Sequence, residues 1–183
     1  MSKSNIMDEL ETFKKEYYDN TSKNLIFKNN QKIECAEKIS SQFQVEVLIE
    51  KTIYLLPNTN KIYMDYTLFK LYAHPQIYET VVNYVLNLFN YCIEHYRGFD
   101  VHLNMKSLTV SAIHRHKDVI ELFYKKTENT TIYTKNLNCM YIYHTPSTIN
   151  ELVKIILTPP VIPKLKMFSK GESDEKLKAL LCM

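Results

Sequence analysis

Residues 99–113 read FDVHLNMKSLTVSAI, and this stretch decides the fold class. It begins as the apolar strand FDVHL, breaks into the polar step NMKS at 104–107, and continues into a segment with helical spacing of apolar residues. A buried strand that turns directly into a helix is the building unit of α/β proteins. We expect the side chains of Asn104 and Ser107 to hydrogen-bond the local backbone in this turn.

Downstream of this unit, strands and helices continue to alternate. The pattern predicts a helix over 112–126, a polar loop over 126–131, a strand at 137–144 and a short strand near 164–168. Between the last two, Thr148 and Glu151 have the spacing of a capping box for a further helix, which the prolines at 159 and 160 would end. Such alternation favours right-handed crossovers and a partly parallel sheet.

Upstream, the sequence predicts a β-hairpin and a long helix. FQVEVLIEKTIYLL at 43–56 and KIYMDYTLF at 61–69 are β-rich and flank a polar four-residue turn, which is typical of an antiparallel hairpin. Pro75 and Gly98 bracket a long amphipathic segment, as expected of a helix. Helical spacing of apolar residues also predicts two N-terminal helices, one over 6–17 and one over 31–42.

These elements predict an α/β fold with a mixed, partly parallel sheet flanked by helices. The 183 residues, 45% of them hydrophobic, are enough for one domain with a sizeable core. We divide the chain into an N-terminal helical extension over 1–42, an α/β domain over 43–170 and a charged C-terminal tail over 171–183.

The composition argues against several classes of function. A net charge of +3, from 23 Lys and Arg against 20 Asp and Glu, is too small to indicate nucleic-acid binding. Two glycines cannot form a glycine-rich phosphate loop. The abundance of Tyr, Lys, Asn and Ile is typical of AT-rich genomes, such as those of protists or large DNA viruses, and indicates no mechanism.

The cysteines and the hydropathy pattern predict a cytoplasmic protein. The four cysteines lie far apart without a Cys-x-x-Cys pair, which argues against a zinc ribbon or a dithiol redox centre and favours reduced thiols. The N-terminal residues lack the apolar core of a signal peptide, and no apolar run reaches the length of about 18 residues needed to span a membrane.

The histidines are the residues most suggestive of chemistry. His114 and His116 are two positions apart on a predicted helix and therefore point in different directions, so a shared metal ion is not expected. His102 shares a strand face with Asp100, but no nucleophile is positioned to complete a catalytic set. We therefore expect no enzyme activity, no metal site and no cofactor.

The order of signals over 99–168 resembles that of Sec14-like (CRAL-TRIO) lipid-binding domains. In that family an apolar strand ends in Asp-Leu-Lys-Gly and is followed by a Leu/Phe-Ser step; here NMKS at 104–107 and then Leu108 and Thr109 occupy those places. MYIYHTP at 140–146, a predicted helix, two prolines and PKLKMF at 163–168 resemble the family's later succession. Asn104, Ser107 and the His144-Thr145 pair depart from its pattern, and the stretch that carries the family's mobile gate is short.

The resemblance implies a non-enzymatic module that binds a phospholipid or another apolar ligand between the sheet and residues 146–163. Such pockets are mostly apolar with few polar anchors. Several apolar and tyrosine side chains are the expected ligand-binding residues: Tyr84, Leu88, Tyr91, Leu103, Met105, Tyr143, Ile155 and Ile156. A local group of lysines is expected to attract a headgroup or an anionic membrane surface: Lys154, Lys164, Lys166 and Lys170.

A second family has a similar order of elements. STAS domains, which are regulatory modules, also show a hairpin followed by alternating helices and strands, and their strand-to-helix turn carries a phosphorylatable serine. Ser107, Thr109 or Ser111 would take that place here. This alternative implies a regulatory or scaffold protein that acts through contacts with a protein partner.

Overall fold

The structure, a computed structural model, describes residues 3–21, 28–145 and 159–182. The helices and strands follow in this order: α1 Lys3–Asp19, α2 Lys28–Gln42, α3 Val45–Thr52, β1 Ile53–Leu55, β2 Lys61–Asp65, α4 Tyr66–Tyr72, α5 Tyr78–Tyr96, β3 Phe99–Asn104, α6 Val110–Arg115, α7 Lys117–Thr127, α8 Ile132–Asn136, β4 Leu137–Tyr143, β5 Leu165–Met167 and α9 Lys170–Leu181. Short 3₁₀ turns precede α5 and β5, at Pro75–Ile77 and Ile162–Lys164.

The five strands form one mixed sheet, and the predicted α/β class is confirmed. The strands lie in chain order, β1-β2-β3-β4-β5. The first pair is antiparallel, whereas β2, β3, β4 and β5 run parallel to one another. The strand FDVHL of the opening stretch is therefore the central strand, β3, with parallel neighbours on both sides.

The predicted hairpin is present, but most of its first half and the end of its second half were assigned wrongly. β2 ends at Asp65, and residues 66–69 belong to helix α4. Residues 45–52 form helix α3, and only Ile53–Leu55 pair with β2. The buried side chains Leu48, Ile49 and Thr52 have the i, i+1, i+4 spacing of a helix. The β-branched composition of this run suggested a strand, and burial of one helical face outweighed that propensity.

The single helix predicted over 112–126 is two helices, and a further helix follows the polar loop. α6 ends at Arg115 and α7 begins at Lys117. Between them the backbone of His116 leaves the helical region (φ −103°, ψ 19°), and its imidazole is buried. The Arg115 side chain donates from Nε to His116 Nε2 (3.3 Å), so Nδ1 carries the ring proton and donates to the Tyr78 hydroxyl (2.9 Å). α8, over Ile132–Asn136, was not predicted from the sequence.

The two faces of the sheet are covered differently. One face packs against the main core, to which α1 to α6 contribute buried side chains. The N-terminal helices belong to this core, since Ile6, Leu10 and Ile39 are almost completely buried. The opposite face is aromatic and is covered by α9, whose Leu177 and Leu180 pack with Tyr63 and Tyr143. The segment assigned as a charged tail thus forms a helix that buries one face of the sheet.

Gly98 is needed because of a close approach. A Cβ atom at this position would lie 2.9 Å from the Asn136 carbonyl oxygen. The left-handed residue that ends α5 is instead Arg97, with a φ of 61°. Among the described residues, no helix is long and apolar enough to cross a membrane.

Candidate functional site

An apolar cavity of about 470 Å³ lies between the sheet and the helices on its core side. Its floor comes from β3 and β4, its walls from α5, α7 and α8, and one edge from Pro160 and Val161, which precede β5. The apolar side chains that line it are Phe89, Phe99, Val101, Phe123, Tyr133, Leu137, Met140 and Val161. The cavity falls within the 300 to 1,000 Å³ range of typical ligand pockets.

Phe89 of α5 organises the aromatic wall. Its ring stacks on Phe99 of β3, with centroids 4.3 Å apart and planes inclined by 19°. Phe123 of α7 meets the same ring edge-on at 6.1 Å, and Tyr133 of α8 lies 5.8 Å away. Because each ring belongs to a different element, the wall is rigid only when all four elements are assembled.

The polar groups near the cavity are mostly bonded locally. The Thr127 hydroxyl donates to the Phe123 carbonyl oxygen (3.0 Å), and the Thr134 hydroxyl donates to the Thr131 carbonyl oxygen (3.0 Å). Burial raises the pKa of the Tyr124 hydroxyl, which stays protonated at neutral pH and can donate a hydrogen bond. The arrangement suits an apolar ligand with at most one polar anchor.

The sequence-predicted ligand residues that the structure describes do not line this cavity. Tyr84 and Leu88 pack into the main core from α5, while Leu103 and Met105 pack around Ile142 at the far end of the strands. The remaining positions lie elsewhere: Tyr91 is 44% exposed and Tyr143 lies on the aromatic face, and Ile155 and Ile156 are outside the described residues.

Sequence reasoning missed the residues that do line the cavity, although part of the signal was present. Phe99 and Val101 share a strand face by the two-residue period, and Phe123 was on the apolar side of a predicted helix. Whether this face of α7 packs against this face of β3 depends on how the helices that connect the strands pack on the sheet. Local spacing does not determine that packing.

The predicted headgroup lysines do not converge on the cavity. Lys164 donates from Nζ to the carbonyl oxygens of Thr134 (2.7 Å) and Leu137 (2.5 Å), so it closes the C-terminal end of α8. Lys166 lies over the ring of Tyr141 on the aromatic face. Lys170 is exposed at the start of α9, and Lys154 falls outside the described residues.

The carboxyl ends of β2, β3 and β4 form a second notable feature, because α/β proteins often bind ligands there. A hydrogen-bonded network joins these ends. Asn104 Nδ2 donates to Asp65 (3.5 Å), and Asn104 Oδ1 accepts from His144 Nδ1 (2.9 Å). His144 Nε2 faces the Asp174 carboxylate at 2.9 Å. Both ring nitrogens of His144 thus lie within hydrogen-bond distance of side-chain oxygens.

The NMKS turn is part of this network. The Asn104 side chain accepts from the Lys106 N–H (3.2 Å), as expected of a residue that stabilises a local turn. Ser107 has a left-handed φ of 67°. Its hydroxyl accepts from Lys70 Nζ of α4 (2.7 Å), where a bond to the local backbone was predicted.

His102 and Asp100, which were considered for catalysis because they share a strand face, do not form a catalytic pair. His102 Nδ1 is hydrogen-bonded to the Tyr143 hydroxyl (2.9 Å), and the ring stacks on Tyr141 with centroids 4.5 Å apart. Burial and the charge of Lys61 lower the pKa of His102 to about 4, so the imidazole is neutral. In the part of the chain that the structure describes, no group of three or more His, Cys, Asp or Glu side chains is placed to hold a metal ion.

Comparison of the sequence with known protein families and with curated proteins gives no match. The relation to Sec14-like or STAS domains therefore stays a prediction from the motif order.

Proposed function

We propose that this protein is a non-enzymatic binding module of divergent Sec14-like type that takes an apolar ligand, such as a lipid acyl chain. The observation that carries the proposal is the 470 Å³ apolar cavity between the sheet and helices α5, α7 and α8, with Pro160 and Val161 at one edge. A Sec14-like module would hold its ligand between the sheet and residues 146–163. Apolar lining with few polar anchors is the usual composition of such sites.

The NMKS turn also supports the proposal of a Sec14-like module. In the Sec14-like pattern a glycine stands where this chain has Ser107. Ser107 adopts a φ of 67°, in the left-handed region that glycine occupies without steric cost. The backbone shape implied by the family's glycine is thus present here with a different residue.

The chemistry of the cavity favours a neutral apolar group over an anionic one. Among the described residues that line the cavity, Glu128 at the rim carries a carboxylate, and none is a lysine or an arginine. An anionic headgroup inside the cavity would find no compensating cation among the described lining residues, and burying it unpaired is costly. We therefore assign the cavity to the chain of a lipid, with any headgroup outside.

A tryptophan scan at the cavity mouth tests this function. Val161 lines the cavity and is 8% exposed, whereas the next residue, Ile162, does not line it and is 43% exposed. Val161→Trp fills part of the cavity and is expected to weaken binding of a fluorescent fatty-acid ester about tenfold or more. Ile162→Trp makes the same kind of change outside and is expected to leave the affinity within about twofold.

Native mass spectrometry of the purified protein gives an independent readout. A protein that carries no co-purified lipid, takes up none from mixed phospholipid vesicles and binds the ester equally in both tryptophan variants would refute the proposal. Circular dichroism confirms that each variant is folded before its affinity is compared.

A regulatory module of STAS-like type is the second candidate. The observation in its favour is that Ser107, Thr109 and Ser111 are all exposed in the turn after β3 and at the start of α6. A phosphorylation map over these positions, combined with identification of a protein partner by pull-down, tests it. Absence of both a modified site and a specific partner argues against it.

We place the protein in the cytoplasm. Its four cysteines are free thiols, and none is paired in a disulfide. Unpaired cysteines are typical of proteins kept in a reducing compartment. Fluorescence microscopy of the tagged chain tests this placement, which co-localisation with a secretory marker would contradict.

A further inference from the structure

A second cleft, of about 210 Å³, lies where the N-terminal helices meet the turn after β3. It shares no residue with the apolar cavity. Four cationic side chains from four helices line it: Lys14 of α1, Lys32 of α2, Lys70 of α4 and Arg115 of α6. These residues are far apart in sequence, so only the folded chain brings their charges together.

The cleft is rich in positive charge. No carboxylate is among the described residues that line it. Glu11, the partner of Lys14 at 2.7 Å, offsets one of the four charges from outside. Burial and neighbouring cations, Arg115 and Lys14 among them, lower the pKa of Lys32. Burial and the charges of Lys14 and Arg115 lower the pKa of Lys70, while the Glu11 and Asp65 carboxylates oppose this shift. A bound anion would compensate these partly buried cations and reduce the repulsion among them.

Hydroxyl groups complete a donor set for oxygen atoms of a ligand. Ser107 accepts from Lys70, and Thr109 accepts from the Ala112 N–H (3.2 Å), which leaves both hydroxyl hydrogens free to donate to a ligand. Tyr66 also lines the cleft, and its buried hydroxyl interacts with the Arg115 side chain, another lining residue.

We propose that this cleft binds a small phosphate-bearing molecule through its phosphoryl oxygens. Cations combined with hydroxyl donors are the usual partners of phosphate oxygens in proteins. The cleft is smaller than typical pockets for drug-sized ligands, which favours a compact anionic group. Its floor, formed by Cys35, Leu71 and Ala112, is apolar and would strengthen the charge interactions above it by excluding water.

Calorimetric titration of the full chain with inorganic pyrophosphate and with inorganic phosphate tests the proposal. We expect saturable binding with one site per chain. Lys32→Gln removes one of the cations that line the cleft and is expected to weaken the affinity for pyrophosphate about tenfold. Ser107→Gly removes a hydroxyl donor, keeps the left-handed backbone and is expected to weaken it about threefold or more.

Lys125→Gln is the matched control. Lys125 lies exposed on α7, does not line the cleft, and its replacement makes the same change in net charge as Lys32→Gln. We expect its affinity to stay within about twofold of the wild type. Equal weakening by Lys32→Gln and Lys125→Gln would mean attraction by net charge alone and would overturn the proposal.

The phosphate group could belong to a soluble molecule or to a lipid headgroup, and vesicles distinguish the two sources. The same variants are tested for sedimentation with phosphatidylcholine vesicles with and without phosphatidic acid. Binding of free pyrophosphate with the variant pattern above supports a soluble ligand, and binding only to phosphatidic acid vesicles with that pattern supports a headgroup. No saturable binding of either source refutes the site, while the proposed apolar function is judged separately by the Val161→Trp test.

Discussion

His102 and His116 are two buried imidazoles that the folded protein holds neutral. Burial, with the charge of Lys61, lowers the pKa of His102 to about 4 from its ordinary value of 6.5. Burial, with the adjacent Arg115, lowers the pKa of His116 to about 3. Their hydrogen bonds, to Tyr143 and Tyr78, do not require a charged ring. These residues therefore act as neutral parts of the structure.

The neutral imidazoles predict how stability depends on pH. Below pH 6.5 the unfolded chain binds protons at these rings, while the folded protein does not until the pH approaches 4. The contribution of these neutral imidazoles to the free energy of unfolding is therefore fully present above pH 6.5. It decreases as the pH falls from 6.5 toward 4. Urea unfolding at pH 7.0, 5.5 and 4.5 should show a steadily lower free energy of unfolding.

Replacing one buried imidazole together with its hydrogen-bond partner tests whether that imidazole causes the pH dependence. The double variant His102→Phe, Tyr143→Phe removes both members of a hydrogen bond, so neither is left unsatisfied. We expect it to lose less stability than the wild type between pH 7.0 and pH 4.5. The variant His114→Gln, which replaces an exposed side chain, serves as the control and should follow the wild type. An unchanged pH dependence in the double variant would contradict this assignment.

At the scale of elements, α9 and the aromatic face of the sheet depend on each other. Tyr63 and Tyr143 come from β2 and β4, and α9 places Leu177 and Leu180 against them. The Glu172 carboxylate, one turn into the helix, accepts hydrogen bonds from the Ser169 N–H (3.1 Å) and hydroxyl (2.6 Å). This contact fixes the start of the helix.

Two leucines four residues apart on α9 test its role. Leu177 is 7% exposed and packs on the aromatic face, whereas Leu181 is 44% exposed. Leu177→Ala is expected to lower the free energy of unfolding by about 2–3 kcal/mol, because it leaves a cavity beneath the helix. Leu181→Ala is expected to change it by less than about 0.5 kcal/mol. Equal effects in urea unfolding would show that α9 does not cover the sheet.

At the scale of the whole molecule, the thiols report on opening of the core. Cys92 is completely buried on α5, and Cys35 is 3% exposed on α2, whereas Cys182 is exposed near the end of the described chain. Burial raises the pKa of both buried thiols to about 11, which further suppresses the reactive thiolate.

Alkylation with iodoacetamide, followed by mass spectrometry, measures this protection. We expect Cys182 to react first and Cys35 and Cys92 to react only at the rate of global unfolding. Because Cys35 lies in the N-terminal helices and Cys92 in the α/β part, equal protection would show that the extension and the sheet unfold together. Early reaction of Cys35 alone would show that residues 1–42 open separately.

The sequence by itself determined the class of the fold and most of its elements. Strand β3, the long helix α5, the N-terminal helices and the strands β4 and β5 follow from periods of 2 and 3.6 residues and from Pro75 and Gly98 at the ends of a helix. Sequence patterns failed at residues 45–52 and 66–69, which were predicted as strand and form helices α3 and α4. They also failed at His116, where the backbone leaves the helical region and divides a helix that the local pattern predicts as continuous.

Only the tertiary structure decided the sites. The apolar cavity joins Phe89, Phe99, Phe123 and Tyr133 from four elements, and the basic cleft joins cations from four helices. Spacing along the chain shows which side of an element is apolar or charged, but the partner of that side depends on the packing of elements distant in sequence. The NMKS turn illustrates the difference: its polar residues were evident in the sequence, while the contact between Ser107 and Lys70, which places it at the cleft, exists only in the folded chain.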